Sequence, residues 1–161
     1  MIRFLPRPLG HDASVVDPIR ADDLLALPVR LHGIQLGRPV DVLLDREDVR
    51  ALGLDIHCGD DVHRFLPLPT ASVVEDELAI SSPLVMLEED QLDFYRARTF
   101  SLAALRGRPV EHDGGAIGTL RDVVIGSLGG IVEVIVDTES GELRLTYDET
   151  VRFAPGSRSA A

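Results

Sequence analysis

Two nine-residue stretches decide how this chain is read: Leu36-Gly37-Arg38-Pro39-Val40-Asp41-Val42-Leu43-Leu44 and Ile117-Gly118-Thr119-Leu120-Arg121-Asp122-Val123-Val124-Ile125. Both run aliphatic, Gly, three variable positions, Asp, Val, then two aliphatics. Each is followed by an alternating apolar run, a Gly-containing turn and another apolar run. In the first copy Leu52, Leu54 and Ile56 alternate with Gly53 and Asp55, then come Gly59-Asp60-Asp61 and residues 62–66. In the second, residues 131–136 alternate, Ser140-Gly141 turns, and residues 143–147 return. A period of two marks half-buried strands. Two copies of one curled meander account for this order better than a single large sandwich. Gly37 and Gly118 are expected to permit a bend or a positive φ where a strand coils. Asp41 and Asp122 sit beside residues that must be buried, so bonding to nearby backbone is their expected use.

Outward from the repeat, the grammar changes at Glu88-Glu89-Asp90-Gln91-Leu92-Asp93-Phe94-Tyr95-Arg96-Ala97, which holds good helix formers and neither Gly nor Pro. It predicts a short helical connector, after which Ser101 caps a second short helix through Leu105. A further short helix is expected within residues 22–27. The expected division is an N-terminal extension over 1–27, a first β-domain over 28–87, the connector over 88–100, a second β-domain over 101–153 and a loose tail over 154–161.

The second copy, from Leu105 to Ile125, resembles the PRC-barrel family. Gly107, Val110, Gly118 and Asp122 stand where that family has its Gly, Val, Gly and Asp. The first copy keeps Gly37 and Asp41, and its Phe65-Leu66-Pro67 resembles the closing strand. The resemblance implies a mainly β fold of two tandem small PRC-like β-barrels. It also implies an adaptor role, because PRC barrels dock on proteins or shape a cofactor-bearing neighbour, and it carries no catalytic set. One branch of the family is a ribosome maturation factor, so ribosome association is a further reading on fold analogy alone. The membrane anchor of the reaction-centre branch has no counterpart here.

Composition narrows the classes. The chain has 27 acidic and 16 basic residues, a net charge of −11, spread over its length. With no basic cluster to release counterions from phosphates, direct nucleic-acid binding is not expected. Solubility and protein partners are, a homodimer among them. Every basic residue is Arg, so no Schiff-base or phosphate-loop lysine chemistry is open to it. One cysteine, Cys58, makes no intrachain disulfide. Arg3 and Arg7 with Pro6 and Pro8 do not make a signal peptide, and no apolar run reaches the ~18 residues of a membrane span. A cytoplasmic location is the expectation. Hydrophobic residues make up 45% but aromatics only 4%, so Val, Leu and Ile must fill the cores. Each β-domain has only ~60 residues, near the lower limit for an independent core, and the two are expected to pack together.

The candidate sites are few. His57, Cys58 and His63 carry Zn²⁺ donor chemistry across a hairpin, but strand neighbours point to opposite faces, and no metal is expected. Asp137, Glu139 and Gly141 fall short of a calcium loop. Asp41, Asp45, Glu47 and Asp48 lack the contrasting environments that acid–base pairs need. Phe94, Tyr95, Arg96 and Arg98 concentrate aromatic and guanidinium groups as an interface candidate, or pin the connector. No cofactor motif is present. The expected function is therefore a non-enzymatic interaction module. The alternative is a small-ligand or metal-ion binder using the cleft between the barrels.

Overall fold

A computed structural model of the chain describes residues 18–155. The candidate tail beyond 155 and most of the N-terminal extension lie outside the described residues. The elements, in order, are β1 (Ile19–Arg20), α1 (Ala21–Leu25), β2 (Val29–Leu31), β3 (Ile34–Asp45), β4 (Ala51–Cys58), β5 (His63–Pro67), β6 (Ser72–Val74), β7 (Glu77–Ile80), α2 (Glu89–Arg96), β8 (Thr99–Ser101), α3 (Leu102–Leu105), β9 (Pro109–His112), β10 (Gly115–Ile125), β11 (Ile131–Thr138), β12 (Gly141–Thr146) and β13 (Val151–Arg152). The chain is mainly β, and its strands form two sheets. One runs β5-β4-β3-β2-β7-β6 with β8 also on β3; the other runs β12-β11-β10-β9-β13 with β1 also on β10. Neither path of pairings returns on itself among the described residues.

Each long strand, β3 or β10, is the spine of its sheet. Its first half pairs with the strand before it, β2 or β9, and its length pairs with the strand after it, β4 or β11. Bulges fall at matching places, between Pro39 and Asp41 and between Leu43 and Leu44 in β3, and between Leu120 and Asp122 and between Val124 and Ile125 in β10. Extra residues at a bulge bend a strand and increase its twist, which lets one strand serve two partners.

The end of each spine is completed from the other half of the sequence. Strand β8, which leads into the second meander, pairs with β3 of the first: Leu43 faces Ser101 and Leu44 faces Phe100. Strand β1, which leads into the first meander, pairs with β10 of the second: Val124 faces Arg20 and Ile125 faces Ile19. The exchange is reciprocal, and the sequence correspondence follows it at a constant offset back to Arg20 and Ser101, through Pro28 and Pro109 and Val29 and Val110. Residues 19–20, expected within an N-terminal extension, are thus part of the second sheet, and Ala21 and Leu24 of the helix that follows are buried. The pairing itself is not legible in the sequence, since two- and three-residue strands have no period to read.

One hydrophobic cluster runs through both sheets. It joins Val42, Leu44, Leu54 and Ile56 of the first to Val123, Ile125, Val134 and Val136 of the second, with Leu24, Leu102 and Leu105 of the exchanged helices between them. A satellite of Leu43, Phe65 and Leu92 seats α2, backed by Leu52, Leu87 and Tyr95. Leu92 is the fully buried residue of α2. Residues 83–85 form a 3₁₀ turn whose first residue is Pro83 and whose cap is the Ser82 side chain. The two meanders diverge at their outer flank. Strand β7 lies parallel on β2, whereas β13 lies antiparallel on β9. No helix of the described residues is long and apolar enough to cross a membrane.

Candidate functional site

The repeated acids sit at the points of exchange. Asp41 Oδ1 accepts hydrogen bonds from its neighbour Val42 N at 2.9 Å and from Ala103 N at 3.0 Å. Its other oxygen accepts from the Ser101 hydroxyl. Ala103 N is in the first turn of α3, one of the amide donors that a helix start leaves unpaired. Asp122 holds the corresponding place. It accepts from Asp22 N, in the first turn of α1, at 3.2 Å, and from Arg20 Nε at 3.2 Å and Arg106 Nη2 at 3.1 Å. Each repeat acid therefore caps the short helix that the opposite half contributes. Asp41 bonds nearby backbone, as expected, at Val42 N, and both acids also bond backbone across the exchange.

The two repeat glycines serve a close approach. Neither is among the residues with positive φ. A Cβ on Gly37 would sit 2.6 Å from the His57 carbonyl oxygen, and one on Gly118 would sit 2.2 Å from that of Asp137. The positive-φ alternative thus gives way to backbone packing: spine and neighbour strand cross here with no room for a side chain.

The β4–β5 hairpin gathers the polar residues that sequence singled out. Asp55 is buried and accepts from His63 Nδ1 at 2.7 Å and Arg96 Nη2 at 2.7 Å. The Asp55 hydrogen bond raises the pKa of Arg96. His57 and His63 rings lie 5.1 Å apart, and His57 Nε2 meets Asp61 at 3.1 Å. Cys58 turns the other way, into the core, as strand alternation requires. Among the described residues no three His, Cys, Asp or Glu side chains are placed to share a metal ion. Asp60 takes both guanidinium nitrogens of Arg64, at 3.1 and 2.9 Å, and this bonding pulls its pKa down to about 2. An Asp–His pair activates a nucleophile or moves a proton when one lies within reach; here the Asp55 carboxylate is committed to Arg96 and joins hairpin to α2.

The other carboxylate candidates hold turns. Asp45 accepts from Glu47 N at 2.7 Å, and Asp48 from Arg50 N at 3.2 Å. Asp137 pairs with Arg121 at 3.5 Å.

The interface quartet divides. Tyr95 stacks on Phe65 at 4.2 Å, and Arg96 reaches Asp55, so both pin α2 to the first sheet. Phe94 is half exposed, and Arg98 lies 3.8 Å over its ring while donating to its carbonyl. That outward pair is the part of the quartet open to a partner.

The sequence pointed to a cleft between the halves but not to the residues that line it. A cleft of about 480 Å³ opens where β3 meets β8 and α3, walled by Leu43, Arg46, Arg96, Phe100, Leu105 and Arg108. Its residues come from both halves, so only the exchange assembles it. No protein-family model matches the chain, and no curated protein matches it significantly.

Proposed function

We propose that this chain is a non-enzymatic interaction module of the PRC-barrel type, each sheet one PRC-like unit, acting as an assembly adaptor. The observation that carries the reading is the use made of its polar residues. Asp41 and Asp122 are taken up by helix caps that join the halves, and buried Asp55 by the ion pair that pins α2 to the first sheet. Interaction modules present surfaces on such a rigid body, and the outward Phe94–Arg98 pair and the cleft are its most feature-rich surfaces. The test is quantitative capture from the native host with the full chain as bait. One partner enriched in near-equal amount and displaced by excess untagged chain is the expected result. A turnover activity that survives purification and is abolished by one fold-preserving substitution would replace this reading with an enzyme.

A second reading has its own support. Arg46, Arg96 and Arg108 line the cleft between the halves, which suits a small anionic ligand. Stabilisation of the chain by one small organic anion in a thermal-shift panel, at concentrations where inorganic phosphate has no effect, is its expected signature.

A further inference from the structure

In a chain with 27 acidic and 16 basic residues, arginines readily find carboxylates. Arg20, Arg64, Arg106, Arg121 and Arg144 all do. Arg38, Arg46, Arg50, Arg98, Arg108 and Arg152 do not: all six are exposed, and none has a carboxylate partner among the described residues; Arg46 lies over the Phe100 ring at 4.9 Å. Three of the six, Arg46, Arg108 and Arg152, converge on one groove. The cleft of about 480 Å³ that holds Arg46, Arg96 and Arg108 shares Arg108 and Pro155 with a second cavity of about 280 Å³ that holds Arg152. Two carboxylates reach this groove. Asp41 is already bonded to Val42 N, Ala103 N and the Ser101 hydroxyl, and Glu111 lies at the far end.

The corresponding groove of the other half is not basic. It is lined by Ile19, Arg20, Asp23, Val124, Glu133 and Arg144, two acids against two bases. By the offset of the repeat, Ile19 stands for Phe100 and Asp23 for Ala104, while the counterparts of Arg46 and Arg108 are Ser127 and Leu27. The arginine strip therefore occurs in one of the two corresponding grooves only and is no by-product of the fold.

We infer that this groove binds an acidic peptide segment of a partner protein, one per chain, an inference that rests on the interaction-module reading above. Guanidinium forks match carboxylates in a bidentate geometry. Two joined cavities fit an extended segment with several acidic side chains, and Phe100, Leu43 and Leu105 offer an apolar floor in the larger one. A nucleic acid meets the same arginines but carries its charge far beyond the groove, against a surface of net −11. A short acidic segment confines its charge to the strip.

The probe is a fluorescein-labelled hexaglutamate peptide, followed by anisotropy against the full chain. Saturable one-to-one binding that weakens as NaCl screens it is expected. The double variant Arg46→Gln with Arg108→Gln should lose affinity by about tenfold or more, while Arg46→Lys with Arg108→Lys keeps part of it. Arg121→Gln with Arg144→Gln, on the other sheet, should change it by less than about twofold. Arg46 and Arg108 are exposed, so an unaltered melting temperature is expected and checks the fold. Equal affinity of the double glutamine variant and the wild type overturns the inference. So does tighter, Arg108-dependent binding of an oligothymidylate or of inorganic phosphate, or self-association of the wild-type chain through this groove. Capture of the native partner at full level by the double variant would remove the groove and leave the interaction module standing. Arginine-dependent peptide binding with no partner protein found would do the reverse.

Discussion

Gly118 shows most directly how a single residue sets this fold. Its missing side chain lets β10 cross β11 with the Asp137 carbonyl 2.2 Å from where a Cβ would be. The obstacle is backbone, so it does not swing aside as a side-chain tip would. Gly118→Ala is expected to cost about 3 kcal/mol, the upper range for overpacking. For a chain of this size that lowers the melting temperature by on the order of 10 °C. Gly59 faces open space and has no positive φ, so Gly59→Ala should stay within about 0.5 kcal/mol of wild type. Scanning calorimetry on the two variants checks this, and equal melting temperatures would refute the crossing as a constraint. Glycine at this position was legible in sequence because it recurs beside a recurring Asp. Its reason was not, because bend, positive φ and close approach all call for the same residue and only the path of the opposing strand separates them.

At the scale of elements, the two short helices owe their starts to acids remote in sequence. α1 and α3 are five and four residues long, too short to persist alone. Asp122 is fully buried and meets Arg20 and Arg106 as well as Asp22 N. Asp122→Ala leaves charged groups without their partner and should destabilise by about 3–5 kcal/mol. Asp41 is half-buried and has no arginine bonded to it, so Asp41→Ala should cost only the cap, about 1–2 kcal/mol. Urea denaturation of both variants measures the difference, and equal losses would show that the buried ion network adds nothing. The helices and spine strands themselves could be read locally. Ser101 as cap, the Gly- and Pro-free run that becomes α2, and the alternation in β4 and β11 are signals carried within a few residues. The pairing of β1 with β10 and of β8 with β3 is carried by no local signal. The lining of the cleft was illegible for the same reason, since Arg46 lies far in sequence from Arg96 and Arg108 and meets them only through that pairing.

For the whole molecule, the reciprocal exchange means that a cut between the meanders does not yield two finished pieces. A chain of residues 1–90 keeps β1 and α1, which belong on β10, and lacks β8 and α3, which complete β3. Residues 91–161 have the converse defect. The shared core would also be opened along its length. Each fragment is expected to be insoluble or to lack a cooperative melting transition, and mixing them should restore the native circular dichroism with one-to-one stoichiometry. Two fragments that each melt as sharply as the intact chain, at its temperature, would show self-sufficient halves. The same exchange also bears on ancestry. A gene encoding one meander with its leading strand and helix would make a chain that cannot complete itself, yet two such chains would complete each other about a twofold axis. Joining them end to end frees assembly from dependence on concentration. It also frees the twins to differ, and an arginine strip on one side alone is a difference that a strictly symmetric pair could not have kept.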